Sequence, residues 1–408
     1  MIGCAHMSRS FEEAKEVLKV FFIHHYDAYI VGGAVRDHLL GKPVNDIDIA
    51  TSARPEQVQA MFKTTIPVGI KHGTVIVRYN HTNYEVTTFR KESGYDDFRR
   101  PAKVTFETSL LSDLKRRDFT INAMALTIDS DIIDPYNGRC DIEQAILQTV
   151  NDPYDRFRED PLRMMRGIRF ISQLGFKMPP KQLDAIRDLA HLLKNISIER
   201  LLQEFSKLLA GKSLDQAMPV LVETSCHHYL PGLETKSHDL FTAGKFDFNR
   251  IKADWERWCA LVIILDIPDD KAFCRSWKMS NKQASFVVTH SYGYHLMKGQ
   301  RWTSERLYEW GLDSVLAINR LISVLSPEAS TETNLEIEKM WRNLPIKDKK
   351  DLNVNGQDLM AWTKQKPGPW LAGALKLIEG LILNGQLKNE RKDIKEWVMA
   401  CLKPKIGF

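Results

Sequence analysis

Two aspartates, Asp46 and Asp48, stand one residue apart in the first eighth of a 408-residue chain. In a strand, residues i and i+2 project to the same face, so both carboxylates would point one way while Ile47 and Ile49 pack behind them. Two anions held that close repel each other unless a cation sits between them. Ligands that are all oxygen suit Mg2+ or Mn2+. Taken alone, the pair fits a solvated edge strand better than a metal site, so the flanking residues have to decide.

Upstream, Gly32-Gly33-Ala34-Val35-Arg36-Asp37 follows an apolar run, 28–31, and opens a helix-like segment. Glycine lets backbone N–H groups approach an anion closely, and a helix start adds a favourable field for phosphate. Arg36 would stand beside the same triphosphate. A Gly-Gly pair is most often a plain turn. A strand, Gly-Gly, a helix and then an Asp-x-Asp strand in close succession is a sharper pattern, and it resembles nucleotidyltransferases of the polymerase-β kind. Glu85, in a neighbouring strand, is the candidate third carboxylate, although it could equally be an exposed strand residue.

Two basic segments follow. In Lys115-Arg116-Arg117-Asp118-Phe119-Thr120-Ile121-Asn122-Ala123, the apolar flank would turn Arg117 inward, with Asp118 and Asn122 as its hydrogen-bond partners. In Glu159-Asp160-Pro161-Leu162-Arg163-Met164-Met165-Arg166-Gly167-Ile168-Arg169, the proline marks a helix start. The spacing of three sets Asp160, Arg163 and Arg166 along one side, and Arg169 continues the row with some drift. A salt-bridge ladder within one helix is the bland account of that row.

The elements that must position these groups change character along the chain. Up to about residue 150 the pattern is mixed α/β. A helix is expected over 11–25 and strands over 28–31 and 46–50. A hairpin is expected from 73–79 and 84–89, turning at 80–83. From Asp160 onward strand signals almost vanish, and helical patterns such as 161–173 and 199–209 dominate. Hydrophobic residues make up 43% and charged residues 27%, which excludes a mostly disordered chain. The net charge of +5 permits a polyanionic partner without requiring one. No apolar run reaches the roughly 18–20 residues that span a bilayer, and no signal-peptide core is present, so a cytoplasmic location is expected. The six cysteines are scattered with no CxxC pair, as expected of reduced and mostly buried thiols.

Four segments together resemble the class II tRNA nucleotidyltransferase family, in particular its bacterial CCA-adding enzymes of Gram-positive type. They are GGAVRDHLLGKPVNDIDIAT, RRDFTINAMA, EDPLRMMRGIRF and ISIERLLQEF. DLNVNGQDLMAW and KPGPWLAGAL look like the tail of Gram-positive members. The resemblance implies an α/β nucleotidyltransferase head (1–150) followed by an all-helical neck (151–213), body (214–335) and tail (336–408) in a seahorse-like arrangement. It implies metal ligands at Asp46 and Asp48, with two Mg2+ ions expected and Mn2+ an option. It implies triphosphate contacts at Gly33 and Arg36, and nucleotide contacts at Arg117, Asp160, Arg163, Arg166 and Arg169. The implied substrates are CTP and ATP, and the implied partner is the acceptor arm and 3′ end of tRNA. A monomer or a homodimer fits equally, and no membrane is involved.

The segment KESGYDDFRRPAKVTF, residues 91–106, looks like the family's flexible loop needed for the final A. Its presence argues for complete CCA addition, or else for an A-adding enzyme or a poly(A) polymerase. A catalytically inactive tRNA-binding protein is a remoter alternative, because a decayed site would be expected to lose one of its charged residues. Some relatives carry a metal-dependent phosphohydrolase domain, but here His238-Asp239 and Cys226-His227-His228 lack the rest of such a signature.

Overall fold

The computed structural model describes residues 9–44, 46–69, 73–95, 101–106 and 109–402. The chain divides into two compact units: Met1–Lys245 with Arg275–Lys278, and Phe246–Cys274 with Met279–Phe408.

The first unit opens with α1 (Arg9–Ile23), β1 (Ala28–Val31), α2 (Gly33–Leu39), β2 (Asp48–Thr51) and α3 (Pro55–Met61). Then come β3 (Thr65–Gly69), β4 (Thr74–Tyr79), β5 (Thr82–Thr88), β6 (Arg90–Tyr95) and β7 (Pro101–Phe106). α4 (Leu110–Lys115), β8 (Ala125–Leu126), β9 (Ile132–Ile133) and α5 (Gly138–Glu143) complete the α/β part. A seven-stranded sheet runs in the order β3-β4-β5-β2-β1-β8-β9, and only the β2–β5 pair is parallel. Alternation sends Ile30, Ile49, Val75, Val77 and Val86 into the core, each almost fully buried.

Two sequence expectations need adjusting here. The hairpin turns on two residues rather than four: Tyr79 pairs with Thr82, and Asn80 and His81 both take positive φ, 48° and 65°. That is the conformation a two-residue type I′ turn demands. The strand expected over 46–50 begins only at Asp48, because its antiparallel neighbour ends at the Val31–Asp48 pair. Beyond Val31 the chain leaves the ladder at Gly32 (φ 73°) to enter α2. Asp46 therefore precedes the strand, although buried Ile47 still separates the two aspartates.

The segment expected as a loop over 91–106 forms instead a two-stranded antiparallel ribbon, β6 against β7, while residues 96–100 lie outside the described residues. After it the first unit is mostly helical: α6 (Pro153–Glu159), α7 (Leu162–Leu174), α8 (Pro180–Leu189), α9 (Ile198–Leu209) and α10 (Leu214–Glu223) lead its helices. α7 and α9 pack on each other. Ser172 Oγ, for example, donates to the Leu208 carbonyl at 2.6 Å.

The second unit has helices and no strand among its described residues. Its core gathers Trp258, Val287, Ile318 and Leu321, all fully buried. Gly293 is required where its helix meets that of Ile318, since a Cβ there would lie 2.4 Å from the Ile318 Cδ1. No helix among the described residues is long and apolar enough to cross a membrane.

Of the five described cysteines, Cys226, Cys259 and Cys274 are buried while Cys140 and Cys401 are exposed, and all five are free. Burial pushes the Cys226 thiol up to about 12, which leaves it unreactive.

Candidate active site

In the first unit, one cleft of about 560 Å³ is bordered by Gly33, Arg36, Asp48, Arg117, Asp160, Arg163, Arg166 and Arg169. Its size falls within the roughly 300–1,000 Å³ of small-ligand sites. Asp46, like the candidate third carboxylate Glu85, does not border it. It lies close enough to Asp48 to act on that carboxylate electrostatically. Eight lysines and arginines line the cleft against three aspartates, Asp48, Asp118 and Asp160, which favours an anionic ligand.

Asp48 sits where the cleft meets the sheet. Its register partner on β5 is Glu85, and parallel partners point to the same face, so these two carboxylates stand side by side. The Asp48 carboxyl is raised above the usual carboxylate range, first by burial, then by the Glu85 charge and more weakly by Asp46, with Arg117 opposing. A cation at this edge would relieve that repulsion, and an oxygen-only donor set suits Mg2+ or Mn2+. No group of three metal-ligating His, Cys, Asp or Glu side chains occurs among the described residues. Mg2+ does not require one, since it is commonly held by one or two carboxylates together with substrate phosphates. The residues present therefore fit the metal.

Gly32 shows how tightly the site is assembled. A Cβ at this position would lie 2.9 Å from Arg117 Nη1 and 3.9 Å from Asp48 Oδ2. The absent side chain is what lets the guanidinium and the carboxylate approach the turn. Next to it, Arg36 donates from Nε and Nη2 to the two oxygens of Asp37, each at 2.9 Å, and from Nη1 to Asn122 Oδ1 at 2.7 Å.

Of the two partners expected from the sequence, Arg117 keeps Asn122, through its main-chain carbonyl, and has Asp113 in place of Asp118. It donates to Asp113 Oδ2 at 3.2 Å and reaches the Asn122 carbonyl at 3.5 Å. Asp113, fully buried, is held below its usual range because Arg116 and Arg117 outweigh the cost of its burial. Asp118 is taken by Arg166 instead, whose Nε and Nη2 both donate to its Oδ2, at 2.7 and 2.5 Å. Asn122 Nδ2 donates to the other oxygen at 3.1 Å. Burial alone would raise the Asp118 carboxyl, but Arg166, the Asn122 hydrogen bond and Arg163 hold it far below the usual range.

The single-helix ladder does not form either. Asp160 caps the C-terminus of α6, and α7 starts only at Leu162. Asp160 accepts from Arg200 on α9, at 2.7 and 3.3 Å, and from the Leu162 N–H at 3.1 Å. Arg163 donates to Glu159 at 2.8 Å and to the carbonyls of Arg116 and Arg156 at 3.0 and 3.2 Å. Arg169 donates to Glu204 on α9 at 2.6 Å and to Gln173 at 2.8 Å. Its guanidinium lies 4.1 Å from the centre of the Phe170 ring, and those of Arg36 and Arg166 lie 5.1 and 5.8 Å from it. Phe170 thus gathers three cations around one aromatic ring.

Sequence reasoning missed Asp113, Glu159, Arg200 and Glu204 as partners. One signal was present for Glu204. With Leu201, Phe205 and Leu208 it shares the i, i+3, i+4, i+7 stripe of α9, so it is a carboxylate on an apolar face, 6% exposed, and demands a cation.

Comparison with known proteins agrees along the chain. Residues 28–148 match the family described as the poly A polymerase head domain. Residues 175–236 match the probable RNA and SrmB-binding site of polymerase A, and 250–398 match the putative tRNA nucleotidyltransferase domain 2. A CCA-adding enzyme of Geobacillus sp. (strain WCH70) is 43% identical over 394 residues, covering 96% of this chain and 98% of its own. One from Bacillus mycoides (strain KBAB4) is 41% identical over 391 residues, with the same coverage. The crystal structure of Bacillus stearothermophilus CCA-adding enzyme in complex with CTP is 41% identical. It superposes with a TM-score of 0.90 over 97% of this chain and 98% of that one.

Proposed function

This chain belongs to the CCA-adding enzymes of the class II tRNA nucleotidyltransferase family, and from that premise we propose that it adds C, C and A in turn to the 3′ end of tRNA. CTP and ATP are the substrates and pyrophosphate is released. In each step the tRNA 3′-hydroxyl attacks the α-phosphate. The observation that carries the reading is the single cleft that gathers Gly33, Arg36, Asp48, Arg117, Asp160, Arg163, Arg166 and Arg169.

Asp46 and Asp48 are the residues to hold divalent metal, two Mg2+ ions on this reading, with Glu85 beside them. When bound, the metal lowers the pKa of the attacking hydroxyl and neutralises the departing pyrophosphate. The chain's own groups supply the rest. The Gly32-Gly33 backbone, Arg36 and Arg117 bind the triphosphate, and Arg166 and Arg169 complete the basic wall of the nucleotide cleft.

Base choice follows from hydrogen-bond polarity. Cytosine and adenine both present an exocyclic amine beside a ring-nitrogen acceptor. Asp160 accepts from the amine and Arg163 donates to the ring nitrogen. Uracil and guanine place a carbonyl opposite Asp160, acceptor against acceptor. Asp160 keeps about one acceptor site for this while bonded to Arg200 and the Leu162 N–H, since a carboxylate offers about four. The protein then takes the place of a nucleic-acid template.

Head 1–150, neck 151–213, body 214–335 and tail 336–408 form the working division on this reading. The body and tail hold the acceptor arm through phosphate contacts that are largely independent of sequence. The 91–106 segment serves the switch to the final A.

Calorimetric titration of the protein alone, with Mg2+ and no RNA, tests the reading. CTP and ATP should bind at least roughly fivefold more tightly than UTP and GTP, the low end of one base contact's worth. Equal affinity for all four nucleotides would refute selection by the protein itself.

A further inference from the structure

A second, smaller cavity of about 200 Å³ adjoins the nucleotide cleft and shares Asp48, Arg116 and Arg117 with it. It lies on the sheet face that carries the carboxylates. Asp48 and Glu85 form one cross-strand row on that face, and Ala50, Thr87 and Thr74 form the next. Thr87 stands in the middle of the second row, and the small Ala50 side chain leaves room at its β2 end. Thr74 Oγ1 and Thr87 Oγ1 lie 3.1 Å apart. One shared hydrogen bond leaves that pair with a second hydroxyl hydrogen and free lone pairs to offer a ligand. Arg90, Arg116 and Arg117 border the same space and bring positive charge.

The volume is below the roughly 300–1,000 Å³ of ordinary small-ligand sites, so the cavity suits a sugar and its phosphate rather than a whole nucleotide. The two rows are two strand rises apart, roughly 7 Å, which is room for one sugar beside the carboxylate edge. A transferase joining two substrates needs them on either side of its reacting centre, and Asp48 is the carboxylate that borders both cavities.

We propose that this smaller cavity receives the terminal ribose of the acceptor RNA, with the Thr74–Thr87 hydroxyl pair on its 2′-hydroxyl and Arg90 on its 5′ phosphate. This rests on the reading above, which places CTP or ATP in the larger cleft. The pair is then a specificity determinant for the RNA end, since the 2′-hydroxyl, both donor and acceptor, is what distinguishes RNA from DNA.

The test is the rate of first C addition to a tRNA ending before CCA, against the same tRNA with a 2′-deoxy terminal residue. Thr87→Val removes one hydroxyl at constant shape. It should raise KM for the ribose-ended tRNA roughly three- to tenfold, the span of one net hydrogen bond, with KM for CTP unchanged. Thr87→Ser should restore the wild-type KM. On the deoxy-ended tRNA the wild type should show the same rise and Thr87→Val no further one. A Thr87→Val penalty that persists undiminished on the deoxy end overturns the assignment, as does one that appears in KM for CTP. Failure of the wild type to add C to either tRNA would instead reject the parent reading, and this one with it.

Discussion

Arg200 holds Asp160 from a different helix, its Nη2 2.7 Å from Oδ2 and its Nη1 3.3 Å from Oδ1, while Arg163, three residues from Asp160, turns to Glu159. The two side chains proposed to read the base are thus each fixed by a separate partner rather than by one another. If they served only as ion pairs, Arg163→Ala would lower stability and leave nucleotide choice intact. As base readers, they set the ratio of kcat/KM for CTP over UTP. That ratio should fall roughly five- to hundredfold in Arg163→Ala, from about 1–3 kcal/mol of lost discrimination, and further in Asp160→Ala. A thermal midpoint that drops while the ratio stays fixed in both variants would return these residues to a purely structural role.

Asp118 and Arg166 make a second long-range pair, and Asp118 is only 8% exposed. Asp118→Asn should cost up to about 3 kcal/mol, the lower end for a broken buried pair, because the Arg166 side chain stays 33% exposed. The folded carboxyl is held below its unfolded value of about 3.9. Its contribution is therefore present in full above that pH and lost as pH falls toward the depressed folded value. Urea midpoints of wild type and Asp118→Asn should differ by a constant amount from pH 7 to 5 and converge below about pH 4. A gap that persists undiminished at pH 3 would contradict this.

At Asp48 the sign reverses. Its folded carboxyl is raised by burial and by Glu85, so its charge costs stability as pH rises from the unfolded value through the folded one. Without divalent metal at pH 7, Asp48→Asn should melt at or above the wild-type temperature. Mg2+ should raise the wild-type midpoint more than that of the variant. Transfer should fall by a factor on the order of a thousand or more in Asp48→Asn and in Asp46→Ala. A midpoint equally responsive to Mg2+ in both proteins would separate Asp48 from the metal.

Gly32 combines φ 73° with the close approach of Arg117. Gly32→Ala should cost about 1–3 kcal/mol from backbone strain. It should also displace the Arg117 guanidinium, raising KM for CTP beyond what the loss of stability explains. An alanine variant with wild-type midpoint and KM would show that neither constraint operates.

The parts of this site that were legible in the sequence are local ones. The Gly32-Gly33 turn, the aspartates either side of Ile47 and the proline before α7 depend on neighbours a few residues away. The strand start at Asp48 was not legible, because it depends on where β1 ends at Val31. Nor were the ion-pair partners. Spacing along one helix suggested Asp160 with Arg163, whereas the partners chosen lie 40 residues away for Asp160, 48 for Arg166 and 35 for Arg169. Such pairings are set by how α7 and α9 pack and by where Asp118 is buried; helical periodicity marks Glu204 as a carboxylate on an apolar face but does not name its partner.

The most direct measurement follows three tRNA substrates on a gel, one ending before CCA, one after C and one after CC, each with Mg2+ and CTP, ATP or both. CTP alone should extend the first substrate by two residues and the second by one, and leave the third unextended. ATP alone should extend only the third, by a single A, and both together should bring all three to the same CCA end. Extension by ATP alone on every substrate, or an A run beyond the first, would contradict the account.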